Sequence, residues 1–311
     1  MLPTNFFRRA ALIPTLPTLT FIRPASTMAS SPSSFTLDRS IFNQTLYTRM
    51  RNFWFGDLPS DAATPSFNAA QKWFGVGKSE DEKDAFDGEC RHNFVHALEA
   101  IGPEKLILPK FESYEKDIEH ADQIAAPFLP EVKAAQEEDE KKGADTLMAL
   151  ILLLDQMTRN IYRDPEGLRK VYLHYDRLSF TLLQASMRSL SSNPVNLPFY
   201  RRRPVYKAWL IMPLLHSEHL PSHDKWAQIV KTDRLETEAL GDKEALGFVE
   251  KSVEAEEKHV DLLRRFGRYP HRNEFVDRST TVEEEEYLKD GDTFGVKSGG
   301  AAGKGKEKSE L

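Results

Sequence analysis

A run of apolar residues near the middle of the chain, Leu147 to Leu154, most limits the folds that this chain can adopt. A membrane-spanning helix needs about 20 apolar residues, so this run is too short to be one. A helix that is apolar on every side has to be buried inside a protein. The chain is therefore predicted to fold around this central helix, with other helices packed against it, and without a membrane span.

Polar side chains follow the apolar run on the same predicted helix. Asp155 and Arg159 are four residues apart and so lie on one side of it, as do Gln156 and Asn160. A buried charge without a partner is costly, so these groups must meet side chains from elsewhere in the chain. The main question that the sequence raises is whether those contacts form a working site or only a structural brace.

The totals exclude several classes of protein. The chain has 311 residues and a formal net charge of −6, whereas nucleic-acid-binding proteins usually carry a basic face, so no nucleic-acid partner is predicted. The single cysteine, Cys90, rules out an internal disulfide and any site with several cysteine ligands. Cys90 lies within a helical pattern and is predicted to be a small core residue.

The two ends of the chain are predicted to lie outside the folded domain. Residues 1–35 contain three arginines and no acidic residue, and they are rich in serine, threonine and proline, which is typical of a mitochondrial targeting segment. A disordered leader is the alternative, and an internal start at Met28 would give a cytoplasmic form. Residues 36–294 are predicted to form one all-α domain, and residues 295–311 a disordered tail.

The apolar pattern between the two ends is helical throughout. Segments 80–100, 166–190 and 242–266 repeat apolar residues at helical spacing, and no stretch alternates with the period of two that marks a half-buried strand. The sequence therefore predicts an all-α fold of about eight to eleven helices that pack as antiparallel pairs.

Four motifs occur in an order that is typical of one protein family. They are FWFG at 53–56, LLLDQMTRNIYR at 152–163, PLLHSEHL at 213–220 and FGRYPHRN at 266–273. On these motifs the chain resembles domain of unknown function family 924 over about residues 40–295. It departs from the family at Met157 and Thr158, where Phe-Pro is common. The resemblance implies an all-α, tetratricopeptide-like fold, and it implies no reaction, substrate or cofactor because the family is uncharacterised.

Three polar groups of residues supply the candidate ligand-binding side chains. They are Asp155, Gln156, Arg159 and Asn160 on the central helix, His216 and Glu218 in the third motif, and His271, Arg272 and Asn273 in the fourth. In one interpretation these side chains form a buried hydrogen-bond network that braces the fold. The chain is then a binding or interaction module whose outer grooves bind a partner protein.

In the alternative interpretation, the same side chains line the pocket of a small-molecule enzyme or of a protein that binds an anionic ligand. Arg159 and Arg272 would clamp a carboxylate or a phosphate, because a guanidinium can donate two parallel hydrogen bonds to either. An imidazole can move a proton near neutral pH when a carboxylate orients it, so His216, Glu218 and His271 are the candidate catalytic residues.

A metal site is the weakest of these interpretations. His216, Glu218, His219 and His259 carry ligand atoms, but their spacing matches no common zinc motif. Neither a metal nor a cofactor is predicted. A brace and a pocket predict different structures, because a brace is a closed network with every polar group satisfied. A pocket is open to solvent and contains hydrogen-bond donors without partners.

Overall fold

The computed structural model describes residues 35–56 and 58–296, and every regular element within them is a helix. The all-α class predicted from the sequence is therefore confirmed. The predicted leader, apart from its last residue, and residues 297–311 of the predicted tail lie outside the described residues. The mitochondrial targeting segment and the domain boundaries thus stay predictions.

Fourteen α-helices lie within the described residues. In chain order the α-helices are α1 (Gln44–Phe55), α2 (Phe67–Phe74), α3 (Glu80–Ala100), α4 (Tyr114–Glu119), α5 (Ala121–Ile124), α6 (Leu129–Glu138), α7 (Glu140–Ile151), α8 (Thr158–Ile161), α9 (Pro165–Lys170), α10 (Asp176–Ser189), α11 (Pro204–Leu215), α12 (Leu220–Leu240), α13 (Lys243–Phe266) and α14 (Val282–Leu288). Two π-helical turns, Leu152–Met157 and Val171–Tyr175, join α7 to α8 and α9 to α10. Short 3₁₀ helices form at Pro194–Asn196 and Pro270–Val276.

The central helix, residues 140–161, consists of α7, the first π-turn and α8, and it occupies the core as predicted. The Asp139 side chain caps its start by accepting a hydrogen bond from the backbone N–H of Lys142. Each residue from Leu147 to Leu154 is at most 2% exposed. The helix packs against α1, α3, α6, α10 and α11, which together surround its apolar run. Burial of each leucine stabilises the fold by about 1.5–3 kcal/mol relative to exposure.

The two π-turns lie where charged side chains are buried. A π-turn widens an α-helix locally, so that the residues after it face a different direction, and such turns are frequent at functional sites. The first turn contains Asp155, and the second ends immediately before Asp176. Both carboxylates are buried. The two π-turns therefore lie at the positions where buried carboxylates could form a polar site.

The C-terminal half of the domain holds the third motif against the central helix. Helices α12 and α13 form an antiparallel pair joined by Gly241 and Asp242. Gly241 has a φ of 69°, a left-handed conformation that favours glycine, and Asp242 caps α13 by accepting from the backbone N–H of Ala245. Helix α11 packs against both and against the central helix. The turn after α11, residues 216–219, consequently lies beside the polar half of the central helix.

No helix in the part of the chain that the structure describes is both long and apolar enough to cross a membrane. The pairs α6–α7 and α12–α13 make extensive contacts, as expected for helices that follow one another with a short link. Whether the whole arrangement is tetratricopeptide-like stays a prediction.

Candidate functional site

A deeply buried polar contact joins the central helix to the turn after α11. Asp155 is 0% exposed, and its two carboxylate oxygens lie 2.9 and 3.1 Å from Nδ1 of His216. The Gln156 amide donates to the same carboxylate at 2.6 Å. Burial on its own raises the pKa of Asp155, but His216 and Arg159 outweigh it and hold that pKa below its usual range. Asp155 therefore orients the imidazole of His216 through Nδ1.

Two arginines from different motifs share one carboxylate that the sequence analysis did not single out. Nη1 and Nη2 of Arg159 donate to the two oxygens of Asp176 at 2.8 and 3.1 Å. Nη1 of Arg272 lies 3.6 Å from Oδ2 of Asp176. Arg159 also donates to the backbone oxygen of Asp155 at 2.9 Å. Asp176, at the start of α10, thus links the central helix to the last motif.

Arg272 is buried between aromatic rings. Its side chain is 7% exposed, and its guanidinium carbon lies 4.6 Å from the centre of the Tyr172 ring and 4.8 Å from that of Tyr269. Its Nε has no hydrogen-bond partner. Burial lowers the pKa of Arg272, but Asp176 and Glu218 outweigh it and raise that pKa, so the side chain stays charged.

Glu218 fixes the fourth motif to the turn after α11. Its carboxylate accepts from Nη1 and Nη2 of Arg278 at 2.6 and 2.8 Å and from the backbone N–H of Tyr269 at 2.8 Å. Burial on its own raises the pKa of Glu218, but Arg278 and Arg272 outweigh burial and hold that pKa below its usual value. The carboxylate is therefore ionised near neutral pH. An ionised carboxylate held in this way can position its neighbours, but it has no proton to donate.

Three further histidines, His223, His259 and His271, are buried. The rings of His259 and Phe294 stack with their centres 4.0 Å apart, and Nδ1 of His259 lies 2.9 Å from the backbone oxygen of Ala255. His271 is also buried, and its Nδ1 has no hydrogen-bond partner. Nδ1 of His223 lies 2.7 Å from Oε1 of Glu256, whose Oε2 is buried without a partner.

The structure thus brings together five of the predicted residues and Asp176, which the sequence did not single out. We call the following six side chains the polar cluster: Asp155, Arg159, Asp176, His216, Glu218 and Arg272. Two predicted residues make their hydrogen bonds elsewhere, because the Asn160 amide donates to the backbone of Gln156, and that of Asn273 donates to Glu284. Their inclusion in a ligand-binding site stays a prediction without a contact to support it.

The sequence pattern gives little indication that four further residues take part in these contacts. Asp176 begins a helix in which polar residues outnumber apolar ones, so the argument that singles out Asp155 beside an apolar run does not single out Asp176. Glu256 is one turn before His259 on α13. Tyr269 lies within the fourth motif, but nothing in its spacing shows that its ring packs on Arg272. Arg278 lies in a charged loop, where a solvated side chain is more common.

The polar cluster is neither an open pocket nor a fully satisfied network. The two clearest cavities in the described residues, of about 700 and 180 Å³, are lined by other side chains. Buried polar atoms without a partner nevertheless include Nε of Arg272, Nδ1 of His271 and Oε2 of Glu256. Within residues 35–56 and 58–296, no three histidine, cysteine or acidic side chains are grouped so that they could hold a metal ion.

The buried histidines predict that the protein loses stability in mild acid. Burial lowers the pKa of His259 and of His271 well below the ordinary value of 6.5. The unfolded chain therefore takes up protons that the folded chain does not. Burial of the neutral imidazoles therefore stabilises the fold fully above about pH 6.5. Below that pH the free energy of unfolding falls by about 1.4 kcal/mol per histidine for each pH unit.

We expect the free energy of unfolding, measured by urea titration, to fall by about 3 kcal/mol between about pH 7.5 and pH 5.5 from these two histidines. Replacing His259 by glutamine should remove about half of that loss. The comparison with the variant isolates His259 from groups such as Glu256, whose pKa is raised by burial and which acts in the opposite direction. An identical pH dependence in both proteins would contradict this account.

Comparison with known proteins identifies a family but no activity. The family model described as "Bacterial protein of unknown function (DUF924)" matches residues 50–292. A solved structure of a protein of unknown function from Agrobacterium tumefaciens is 22% identical, and the alignment covers 78% of this chain and 97% of that chain with a TM-score of 0.41. That likeness is too distant to support an argument. No protein of curated function is significantly similar to the chain.

Proposed function

The chain belongs to the DUF924 family of bacterial proteins of unknown function, and we propose that it is a binding protein whose polar cluster takes a small anion, a carboxylate or a phosphate. The family supplies no ligand, so the support comes from the cluster itself. One observation carries the proposal: Nε of the buried Arg272 guanidinium has no hydrogen-bond partner.

A guanidinium has five N–H donors in a planar fork. The ion pair between Arg272 and Asp176 measures 3.6 Å, which is longer than a hydrogen bond, and Nε has no partner. A buried donor without a partner costs about 1–3 kcal/mol, and more when it is charged. A carboxylate or phosphate oxygen is the group that would remove this cost, since it accepts charge-assisted hydrogen bonds from the fork.

The position of Arg272 is set before any ligand arrives. Its guanidinium packs against the rings of Tyr172 and Tyr269, and such contacts hold the plane of the group in one orientation. An anion therefore does not have to order the side chain that binds it, which reduces the entropy cost of binding. Arg159 is the most exposed member of the polar cluster, at 20% of its side chain, and it gives the direction from which an anion would reach Arg272.

The test is a titration in which single arginines are observed. We would label the arginines of the full chain with ¹⁵N and follow the Nε–Hε signal of Arg272, assigned with the Arg272→Lys variant. Phosphate, acetate and citrate would be added in turn. We expect a saturable shift with a dissociation constant of about 1 mM or lower for at least one of them.

Arg177 provides the matched control. Its side chain is as buried as that of Arg272, but its Nε donates to Oδ2 of Asp117 at 2.8 Å. Its Nε–Hε signal should stay in place while that of Arg272 moves. If the Arg272 signal does not move with any of these anions up to about 10 mM, the anion-binding proposal is wrong.

A second candidate function is an interaction module in which the polar cluster is only a brace. It is favoured by the enclosure of the cluster and by its contacts, since Asp155–His216, Arg159–Asp176 and Glu218–Arg278 tie helices and turns that are distant in sequence. Under this candidate the protein partner binds elsewhere, and the Arg272 signal is indifferent to anions. The same titration therefore separates the two functions.

A further inference from the structure

A small cavity lies between α4, α10 and α12, outside the polar cluster. Its volume is about 180 Å³, and the residues that line it are Ile118, Gln184, Met187, Arg188, Asn193 and Lys225. This volume is well below the roughly 300–1,000 Å³ of pockets that hold drug-sized ligands. A bound water occupies about 30 Å³, so the cavity has room for a small polyatomic ion but not for a nucleotide.

Lys225 is the charged group that the fold does not neutralise here. Its side chain is half-buried, and no carboxylate in the described residues forms an ion pair with it. Its one hydrogen bond is a contact of 3.4 Å to Oε1 of Gln184. Burial lowers the pKa of Lys225, as expected for an ammonium group without a partner. Arg188, by contrast, is held by Asp122 and by the backbone oxygen of Ile118.

Two side-chain amides complete the polar part of the cavity lining, and the oxygen of each already accepts a hydrogen bond. Oε1 of Gln184 already accepts from Lys225, and Oδ1 of Asn193 accepts from the backbone N–H of Val195. The amide NH₂ groups of Gln184 and Asn193 are therefore the groups that these side chains can offer to a ligand. The rest of the lining includes the apolar side chains of Ile118 and Met187. A cavity with an ammonium group and amide donors is complementary to an anion.

We propose that this cavity binds a small oxyanion of the phosphate type, which accepts hydrogen bonds from Lys225 and from the amides of Gln184 and Asn193. The inference does not depend on the function proposed for the polar cluster. Asp176 and Gln184 are eight residues apart on α10, which places the two sites about 12 Å apart along the helix. Each site can therefore be observed and mutated separately.

The experiment uses Met187 as a probe inside the cavity. The methionine methyl groups of the full chain would be labelled with ¹³C, and the Met187 signal would be assigned with the Met187→Leu variant. Inorganic phosphate should shift this signal saturably with a dissociation constant in the millimolar range or below, on the order of 1 mM. Chloride at matched ionic strength should not shift it.

Two variants of α12 decide whether the ion binds at Lys225. Lys225→Gln should weaken phosphate binding at least about tenfold, whereas Lys225→Arg, which keeps the charge, should retain it. Lys231→Gln is the matched control, because Lys231 is exposed on the same helix, and it should behave as the parent protein does. Acetate is a second arm that tests whether a planar carboxylate replaces a tetrahedral ion, and we expect it to bind more weakly.

The opposite results would overturn the inference. They are an absent Met187 shift, an equal shift with chloride, tighter binding of acetate than of phosphate, or an unchanged shift in Lys225→Gln. The Arg272→Lys variant should leave the Met187 titration unchanged. Failure of the Arg272 titration alone would thus remove the function proposed for the polar cluster and leave this second site standing.

Discussion

Replacing Asp155 by alanine is expected to lower the free energy of unfolding by about 3–5 kcal/mol, because it removes a fully buried carboxylate and leaves the buried imidazole of His216 without its partner. The Asp155 carboxylate has no exposed surface, and it faces Nδ1 of His216 and the guanidinium of Arg159. Arg159 would keep its contact with Asp176, but His216 would stay in the interior without an acceptor for Nδ1. The cost is therefore the burial of an unpaired polar group in addition to the lost contacts.

The loss is measured by urea unfolding at neutral pH, with the variants Asp155→Ala, His216→Ala and the double variant. The coupling energy of this cycle measures how strongly the Asp155–His216 pair stabilises the fold, and it does not bear on anion binding at Arg272. A large destabilisation with a coupling above about 1 kcal/mol shows that the pair braces the fold. A destabilisation of less than about 1 kcal/mol would contradict the prediction and would mean that the fold holds the pair for another purpose.

Glu257→Ala is the control for this series. Glu257 is exposed on α13, and removal of a solvated carboxylate from a helix surface changes stability by about 0.5 kcal/mol or less. The comparison shows that the effect of Asp155 comes from burial and pairing, since both substitutions remove one negative charge from the chain.

The sequence alone was sufficient to predict the features of the fold that depend on local patterns of residues. The apolar run from Leu147 to Leu154 required a buried helix, and it is buried. The spacing of apolar residues predicted a helix over 80–100, and α3 has those bounds, with Ser79 and Glu82 forming both hydrogen bonds of a capping box at its start. The four motifs identified the family over residues that its model also matches. These features are determined by residues that are close together in the sequence.

The partners of the buried charges could not be predicted because they come from distant segments. Asp155 and His216 are separated by 61 positions, and Glu218 and Arg278 by 60. The pattern of a single sequence shows that a buried charge needs a partner, but not which one it meets. Asp176 illustrates this, since it forms the bidentate contact with Arg159 and the sequence pattern does not identify it as the partner.

Asn160 and Asn273 are predicted to belong to the site because they adjoin charged motif residues, and that prediction has no contact to support it. A short amide side chain, however, finds hydrogen-bond partners in its own helix or in the neighbouring loop. Asn160 donates to the backbone one turn earlier, and Asn273 donates to Glu284 and to Thr280. Proximity in sequence to a site residue is therefore a weak argument for membership of the site.

Replacing Asp176 by asparagine should have two effects of opposite sign. The free energy of unfolding should fall by about 3 kcal/mol, because Arg159 loses a bidentate carboxylate in a buried setting. Anion binding at Arg272 should tighten about tenfold, which corresponds to about 1.4 kcal/mol. The reason is that the carboxylate competes with the ligand for the same guanidinium and repels its charge. Asparagine keeps the shape of the side chain and removes only that charge.

Both effects can be measured on one preparation, by urea unfolding and by the Nε–Hε titration of Arg272. Asp117→Asn is the matched control, since Asp117 pairs with the buried Arg177 through two hydrogen bonds of 2.8 Å. It should cost a similar amount of stability without changing the affinity at Arg272. If Asp176→Asn weakens anion binding, or if both variants change it equally, Arg272 does not bind the anion in the way that we propose. A brace alone predicts the loss of stability in both variants and no tightening in either.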